Sequence, residues 1–223
     1  MLRIAIDGPS GAGKSYLADQ IAERFHLIHL DTGALYRTVG LYVCRKGVAL
    51  DDKAGIIASL PEIDVTVDFG EQGQINLLNG ENVNGFIRTP EISTYASVVS
   101  AIPEVRAFLL DTQRRIAATT PVVLDGRDIG TVILPDADVK IYLVASNEAR
   151  AARRYAELLE KGVETDYESV LRDLIERDAR DSGREVAPAR PADDALLLDN
   201  SDLTREETVA AAIAIIEERL KTK

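Results

Sequence analysis

A chain of 223 residues is long enough to bury one or two cores, and its 46% hydrophobic and 28% charged composition is that of an ordinary globular protein. Lys+Arg 26 against Asp+Glu 37 leaves a net charge of −11, which argues against a general nucleic-acid binder and requires any site for a small anion to gather its arginines locally. Cys44 is the only cysteine, and neither Met1–Ile6 nor Val209–Ile216 approaches the roughly 20 apolar residues of a membrane span, so a cytoplasmic protein without disulfides or membrane segments is expected.

The run Leu2–Ile6 reads as a buried strand that stops at the turn formers Asp7-Gly8-Pro9. Lys14–Phe25 reads as a helix with Leu17, Ile21 and Phe25 on one face, Leu27–Leu30 as a second strand, and Ala34–Lys46 as a helix ended by Gly47. Between about Ile63 and Ile92 the rhythm changes. Val65, Val67 and Phe69 alternate with polar residues, Gln74–Leu78 follows, and Asn79-Gly80 marks a tight hairpin turn. The helix–strand rhythm then resumes with a helix at Glu104–Ala118 and strands at Val122–Leu124 and Val139–Val144. Helices follow at Glu148–Lys161 and Tyr167–Arg180, then a strand at Leu196–Leu198. In the last helix Thr204 and Glu207 have capping-box spacing, and Val209, Ile213 and Ile216 form its expected apolar stripe. The pattern predicts a three-layer α/β fold in which a five-stranded parallel sheet is flanked by helices. Residues 1–62 and 93–223 would form that core, with a helical lid at about 150–184, and 63–92 a small inserted antiparallel unit.

Gly8-Pro9-Ser10-Gly11-Ala12-Gly13-Lys14-Ser15 satisfies G-x-x-x-x-G-K-[ST] between a strand and a helix, the setting that gives the motif its meaning. Glycines let backbone amides turn inward around a phosphate chain, and the helix N-terminus favours negative charge. Lys14 can reach the β- and γ-phosphates of a nucleotide, and Ser15 can ligate Mg²⁺. No Asn/Thr-Lys-x-Asp motif for reading guanine occurs. After Pro121–Leu124 comes a single acid, Asp125, placed either to hold the metal, through water, or simply to form an Asp-Gly turn.

Ligands of open α/β sheets bind beyond the carboxyl ends of the strands. Asp31–Arg37 and Asp125–Asp128 leave such ends, and Arg37 and Arg127 are either forks for an acceptor phosphate or partners of nearby acids. Arg177, Asp181 and Arg184 fall at i, i+4 and i+7 of one helix face if the helix continues that far. Together with Arg150, Arg153 and Arg154 they flank Gly162, either as solvated helices laced with ion pairs or as a lid over phosphates.

Three runs, Ile6–Lys14, Leu30–Arg37 and Asp125–Val132, resemble the bacterial cytidylate kinases, a family of nucleoside monophosphate kinases. Ala96-Ser97 through Val105-Arg106 and Glu176-Arg177-Asp178 through Val186-Ala187-Pro188 agree in order, so the resemblance spans nearly the whole chain. It implies transfer of the γ-phosphoryl group of ATP to CMP or dCMP with Mg²⁺, by a monomer. Lys14, Arg127 and Arg184 would then be catalytic. The Gly8–Ser15 loop with Tyr16, Arg153 and Arg154 would bind ATP, and Ser15 and Asp125 the metal. Ser97, Arg106 and Asp128 would read cytosine. Thr32, which stands where many members have serine, would serve the acceptor site; Arg37, Arg127 and Arg184 would grip its phosphate, and Arg177 and Asp181 its ribose. The inserted unit would lie on the monophosphate side. Ser15-Tyr16 departs from the Gly-Thr or Ser-Thr usual after the lysine, but keeps the hydroxyl. UMP, AMP or a small metabolite such as shikimate are the alternative acceptors, and a nucleotide-binding switch the alternative class.

Overall fold

The computed structural model describes residues 1–71 and 73–221. In chain order its elements begin with β1 (Arg3–Asp7), α1 (Lys14–Phe25), β2 (Ile28–Asp31), α2 (Thr32–Arg45) and α3 (Lys53–Ser59). Then come β3 (Val65–Gly70), β4 (Gly73–Leu78), β5 (Glu81–Asn82), α4 (Pro90–Val99), α5 (Pro103–Thr119) and β6 (Val122–Gly126). A single π-helical turn, Ile129–Ile133, precedes β7 (Val139–Val144), α6 (Asn147–Glu160), α7 (Tyr167–Ser182), β8 (Leu196–Asp199) and α8 (Arg205–Lys221). The main sheet has the order β2-β6-β1-β7-β8 and the smaller one β3-β4-β5. Clustering of the backbone gives two compact units, one spanning Ile28–Pro121, the other Leu2–Leu27 with the chain from Val122 onward.

In the second unit β1 runs parallel to both β6 and β7, with Asp7 opposite Gly126 on one side and Tyr142 on the other. Strands covered on two faces need apolar runs rather than alternation, and Ile4, Ala5 and Ile6 have no exposed surface. One face, carrying Ile4, Ile6, Val123, Ile141 and Leu143, packs on Leu17 and Ile21 of α1 and on Ala212 and Ile216 of α8. Each such aliphatic side chain contributes about 1.5–3 kcal/mol through burial. The buried stripe of α8 is Thr208, Ala212 and Ile216, a correction to the Val209–Ile213–Ile216 stripe: Val209 is half-buried against the core and Ile213 stands to one side of it. Thr204 and Glu207 do form the capping box, each backbone N–H donating to the other's side chain at 2.9 and 3.1 Å.

The first unit is built on α2 and α4. Gly40 makes their close approach possible, since a Cβ there would stand 3.0 Å from the Ala96 nitrogen. Leu35, Val39, Ile56, Ile87, Val99, Val105 and Leu109 fill its core. The Asn79-Gly80 turn joins β4 to β5 with Leu78 opposite Glu81; φ is positive at both turn residues, as a two-residue hairpin of this hand requires. This compact unit is much longer than the 63–92 span marked by the change of rhythm, because helices on both sides in sequence close its core. Two of those helices, α3 and α4, were not expected. Both carried start signals: Asp52 accepts from Gly55 N–H at 2.8 Å, and Thr89 precedes Pro90 and accepts from Ile92 N–H. No helix among the described residues is long and apolar enough to cross a membrane.

Candidate active site

The phosphate loop leaves β1 through Gly8, where no other residue fits: an added Cβ would fall 2.0 Å from the Leu143 carbonyl oxygen. The loop then enters α1 through Gly13, at φ 93°, and no side chain caps that helix, whereas α2, α6 and α7 are capped by Asp31, Ser146 and Asp166. Open first-turn amides at an uncapped N-terminus are an anion site. Lys14, 6% exposed, donates to the Pro9 carbonyl at 2.6 Å. Burial, then the charge of Arg127 and to a lesser degree Arg177, press its ammonium well below the ordinary lysine range, against the pull of Asp125 and Asp7. Three cations therefore crowd one another beside the loop.

Three residues hold the loop from outside. Asn200 Nδ2 donates to Ala12 O at 3.1 Å. Buried Arg150 donates to Ser10 O at 2.8 Å and pairs with Asp178, which in turn accepts from Ser10 N–H at 3.1 Å. The α6–α7 hairpin thus grips both backbone groups of Ser10, and it has a small core of its own in Ala151, Val170 and Leu174. Sequence reasoning gives Asn200 and Asp178 no role in the loop, and offers Arg150 either as part of a solvated charged face or as part of a lid over phosphates, not as a strut holding Ser10.

Around Lys14 the second unit assembles the rest of its polar groups. Ser15 Oγ donates to Asp125 Oδ2 at 2.9 Å, so the expected metal pair is in contact. No cluster of three or more acidic, histidine or cysteine side chains suited to a metal occurs among the described residues. One hydroxyl beside one buried carboxylate fits Mg²⁺, an ion that keeps waters and takes further oxygens from a nucleotide's phosphates.

Asp181 is bracketed by two guanidiniums. Arg127 Nε donates to its Oδ2 at 2.9 Å and Arg184 Nη2 to its Oδ1. Burial opposes ionisation, but Arg127, Arg184 and Arg177 outweigh it and hold this carboxyl below the usual range. The helix carrying Arg177 and Asp181 ends at Ser182, which corrects the helical i+7 placement: Arg184 reaches Asp181 from beyond the terminus. Arg153 donates to Asn200 Oδ1 and O at 3.2 and 2.6 Å, beside the residue that holds Ala12, while half-exposed Arg154 pairs with Glu157 one turn away. Tyr16 lies under the Arg205 guanidinium, 5.2 Å from its ring centroid. Asp128 is buried at the head of the π turn.

The first unit gathers a second set. Asp31 caps α2 by accepting from Ala34 N–H at 3.0 Å; its other oxygen lies 3.1 Å from Arg88 and 3.6 Å from Arg37. Thr32 opens that helix, buried. Gln74 of β4 accepts from Asp31 N–H and donates to Asp31 O, tying the small sheet to this corner. Arg106 of α5 is buried, donates to Ser100 O at 3.1 Å and stacks 5.4 Å from the Tyr36 ring centroid. Ser97 of α4 is 8% exposed, and its hydroxyl has no hydrogen-bond partner among the described residues. A buried hydroxyl left without a partner costs about 1–3 kcal/mol, which a ligand can relieve. Arg88 is the member of this set that sequence reasoning missed.

A strand-to-helix phosphate loop with its lysine, a hydroxyl–carboxylate metal pair and a parallel sheet define a nucleotide-binding α/β protein of the P-loop class. The family model described as cytidylate kinase matches residues 4–218, and the chain belongs to that family. It is 48% identical over 215 residues to the cytidylate kinase of Carboxydothermus hydrogenoformans, covering 96% of this chain and 97% of that one. It is 47% identical over 219 residues to the cytidylate kinase of Thermosipho melanesiensis, covering 98% of each. Among solved structures, an uncharacterised protein of Eubacterium ventriosum matches 100% of this chain and 99% of its own at a TM-score of 0.50 and 15% identity, a likeness of fold.

Proposed function

We propose that this protein transfers the γ-phosphoryl group of ATP to CMP and dCMP, giving ADP and the pyrimidine nucleoside diphosphate. The observation that carries the reading is the convergence of Lys14, Arg127 and Arg177 on the phosphate loop of a protein with net charge −11. One buried ammonium with two part-buried guanidiniums beside it, gathered locally in an acidic chain, favours an anionic ligand there. Family membership supports the cytosine nucleotide as acceptor.

An oxygen of the acceptor's phosphate forms a bond to the γ-phosphorus as the bond from that phosphorus to the β–γ bridging oxygen breaks, in line. The attacking oxygen is already anionic, so no general base is needed. Loop amides and Lys14 hold the β- and γ-phosphates. Arg127 and Arg184, aimed by Asp181, neutralise charge spread over the transferred group, with Arg177 beside them. Ser15 and Asp125 would hold Mg²⁺, whose charge would help offset that of the nucleotide's phosphates. Arg37, with Arg127 and Arg184, is assigned to the acceptor phosphate, Arg177 and Asp181 to its ribose, and Thr32 to the same side. Ser97, Arg106 and Asp128 are assigned to cytosine, whose exocyclic amine donates where uracil offers a carbonyl. Arg153 and Tyr16 are assigned to the ATP side, where Arg154 joins them if it leaves Glu157. The antiparallel unit would serve the monophosphate side and the α6–α7 hairpin would be the lid. The protein would act as a cytoplasmic monomer without nucleic-acid partners.

The deciding experiment is ADP release measured with CMP, dCMP, UMP and AMP as acceptors. CMP and dCMP should be preferred; preference for UMP or AMP would move the acceptor assignment, and hydrolysis without transfer to any monophosphate would overturn the reading.

A further inference from the structure

Asp7 has no part in the chemistry described so far, yet it is among the most buried charged groups of the chain, 4% exposed at the root of the phosphate loop. Its Oδ1 accepts the Ile129 N–H at 2.8 Å and its Oδ2 the Gly130 N–H at 2.7 Å. Those two amides open the π turn that follows Asp125–Asp128. The near end of the same segment is tied to the loop as well, through Asp125 and Ser15. Arg127 and Asp128, which leave the ladder after Gly126, therefore sit in a short span held at one end by Ser15 of the loop and at the other by Asp7 at its root.

We propose that Asp7 is a positioning residue: by bridging the Ile129 and Gly130 amides it sets Arg127 and Asp128 in register with the phosphate loop, and so governs acceptor binding. The inference rests on the proposed transfer to CMP. Both bonds need acceptors, which a carboxylate supplies on both oxygens and an asparagine on one only. The arrangement is also expensive. Burial, with Asp128 adding to it, raises the Asp7 carboxyl to about 6 despite the two amides and Lys14. A group retained where it destabilises the fold is the pattern of a functional constraint. Gly130 belongs to the device: an added Cβ would lie 3.4 Å from Asp7 Oδ2 and a tight 3.1 Å from Lys140 Cδ, so a side chain there would crowd the carboxylate's partner amide.

The test compares the full chain with Asp7→Asn and Gly130→Ala in steady-state kinetics, equilibrium ATP binding without acceptor, and thermal melting. Asp7→Asn should raise KM for CMP about tenfold and narrow the preference for CMP over UMP, with ATP affinity changed less than about twofold and melting preserved. Gly130→Ala, which disturbs the same bond from its other partner, should raise KM for CMP selectively too. If both variants keep the wild-type KM for CMP, or if ATP affinity falls in step with CMP affinity, Asp7 does not act through the acceptor segment. A wild-type chain that ignores CMP would instead remove the functional reading itself.

Discussion

The phosphate loop and the Ser97–Arg106 corner of the first unit are built by opposite means. The loop is one continuous stretch whose binding groups are mostly backbone amides, positioned by Gly8, Gly13 and an uncapped helix end. The corner is made of side chains from α2, α4 and α5, and it contains a buried hydroxyl without a hydrogen-bond partner among the described residues. Backbone-built sites tolerate little change in sequence, because the geometry is the site. Side-chain-built sites can change preference one residue at a time.

That contrast predicts a graded set of effects. Lys14→Ala should break the loop's function outright, lowering kcat by about 10³-fold or more with the fold intact by circular dichroism, since removal of a transition-state charge partner costs that order. Near-normal turnover would sink the assignment.

The next effect is on stability against pH. The native Asp7 carboxyl holds its proton to about pH 6, against 3.8 for an ordinary aspartate, so its folded value is raised. Its protonated form stabilises the native state below about pH 4, and that contribution is lost as pH rises through 6. The shift corresponds to about 3 kcal/mol. Asp7→Asn should therefore hold its stability level across pH 4–6 where wild type loses it, read from urea melts; parallel pH curves would contradict it. Asp181, whose carboxyl is held low, works the other way, stabilising above its unfolded value and losing that as pH falls through its folded one.

Asp128→Asn tests the proposed reading of cytosine. It should reduce the CMP-over-UMP ratio of kcat/KM about ten- to a hundredfold, the scale of a lost buried hydrogen bond. An unchanged ratio would relocate base recognition. Smallest is Ser97→Ala, expected to raise KM for CMP about threefold to tenfold while leaving melting unchanged or slightly higher, because the hydroxyl it removes has no partner to lose. A fall in melting temperature would mean that the hydroxyl is bonded within the fold.

Most strands were legible from apolar runs, and β7 has the bounds Val139–Val144 expected for it. Helices α3 and α4, which flank the stretch with the strand pattern, were not, although Asp52 and Thr89-Pro90 announced them. Arg37, Arg127, Arg177, Asp181 and Arg184 were legible as candidates for anion binding, but the double grip of Arg127 and Arg184 on Asp181 was not. Residues 54 positions apart carry no local sign that they meet.

The amino-acid order alone determined the phosphate loop, its strand and its helix, because those depend on turn chemistry, glycine backbone freedom and periodicity over neighbouring residues. Tertiary packing decided which charges converge. Asp7 meets amides 122 and 123 residues away, and Arg150 a carbonyl 140 residues away. Such contacts follow from the parallel register of β1, β6 and β7, which sets what lies side by side at the carboxyl end of the sheet.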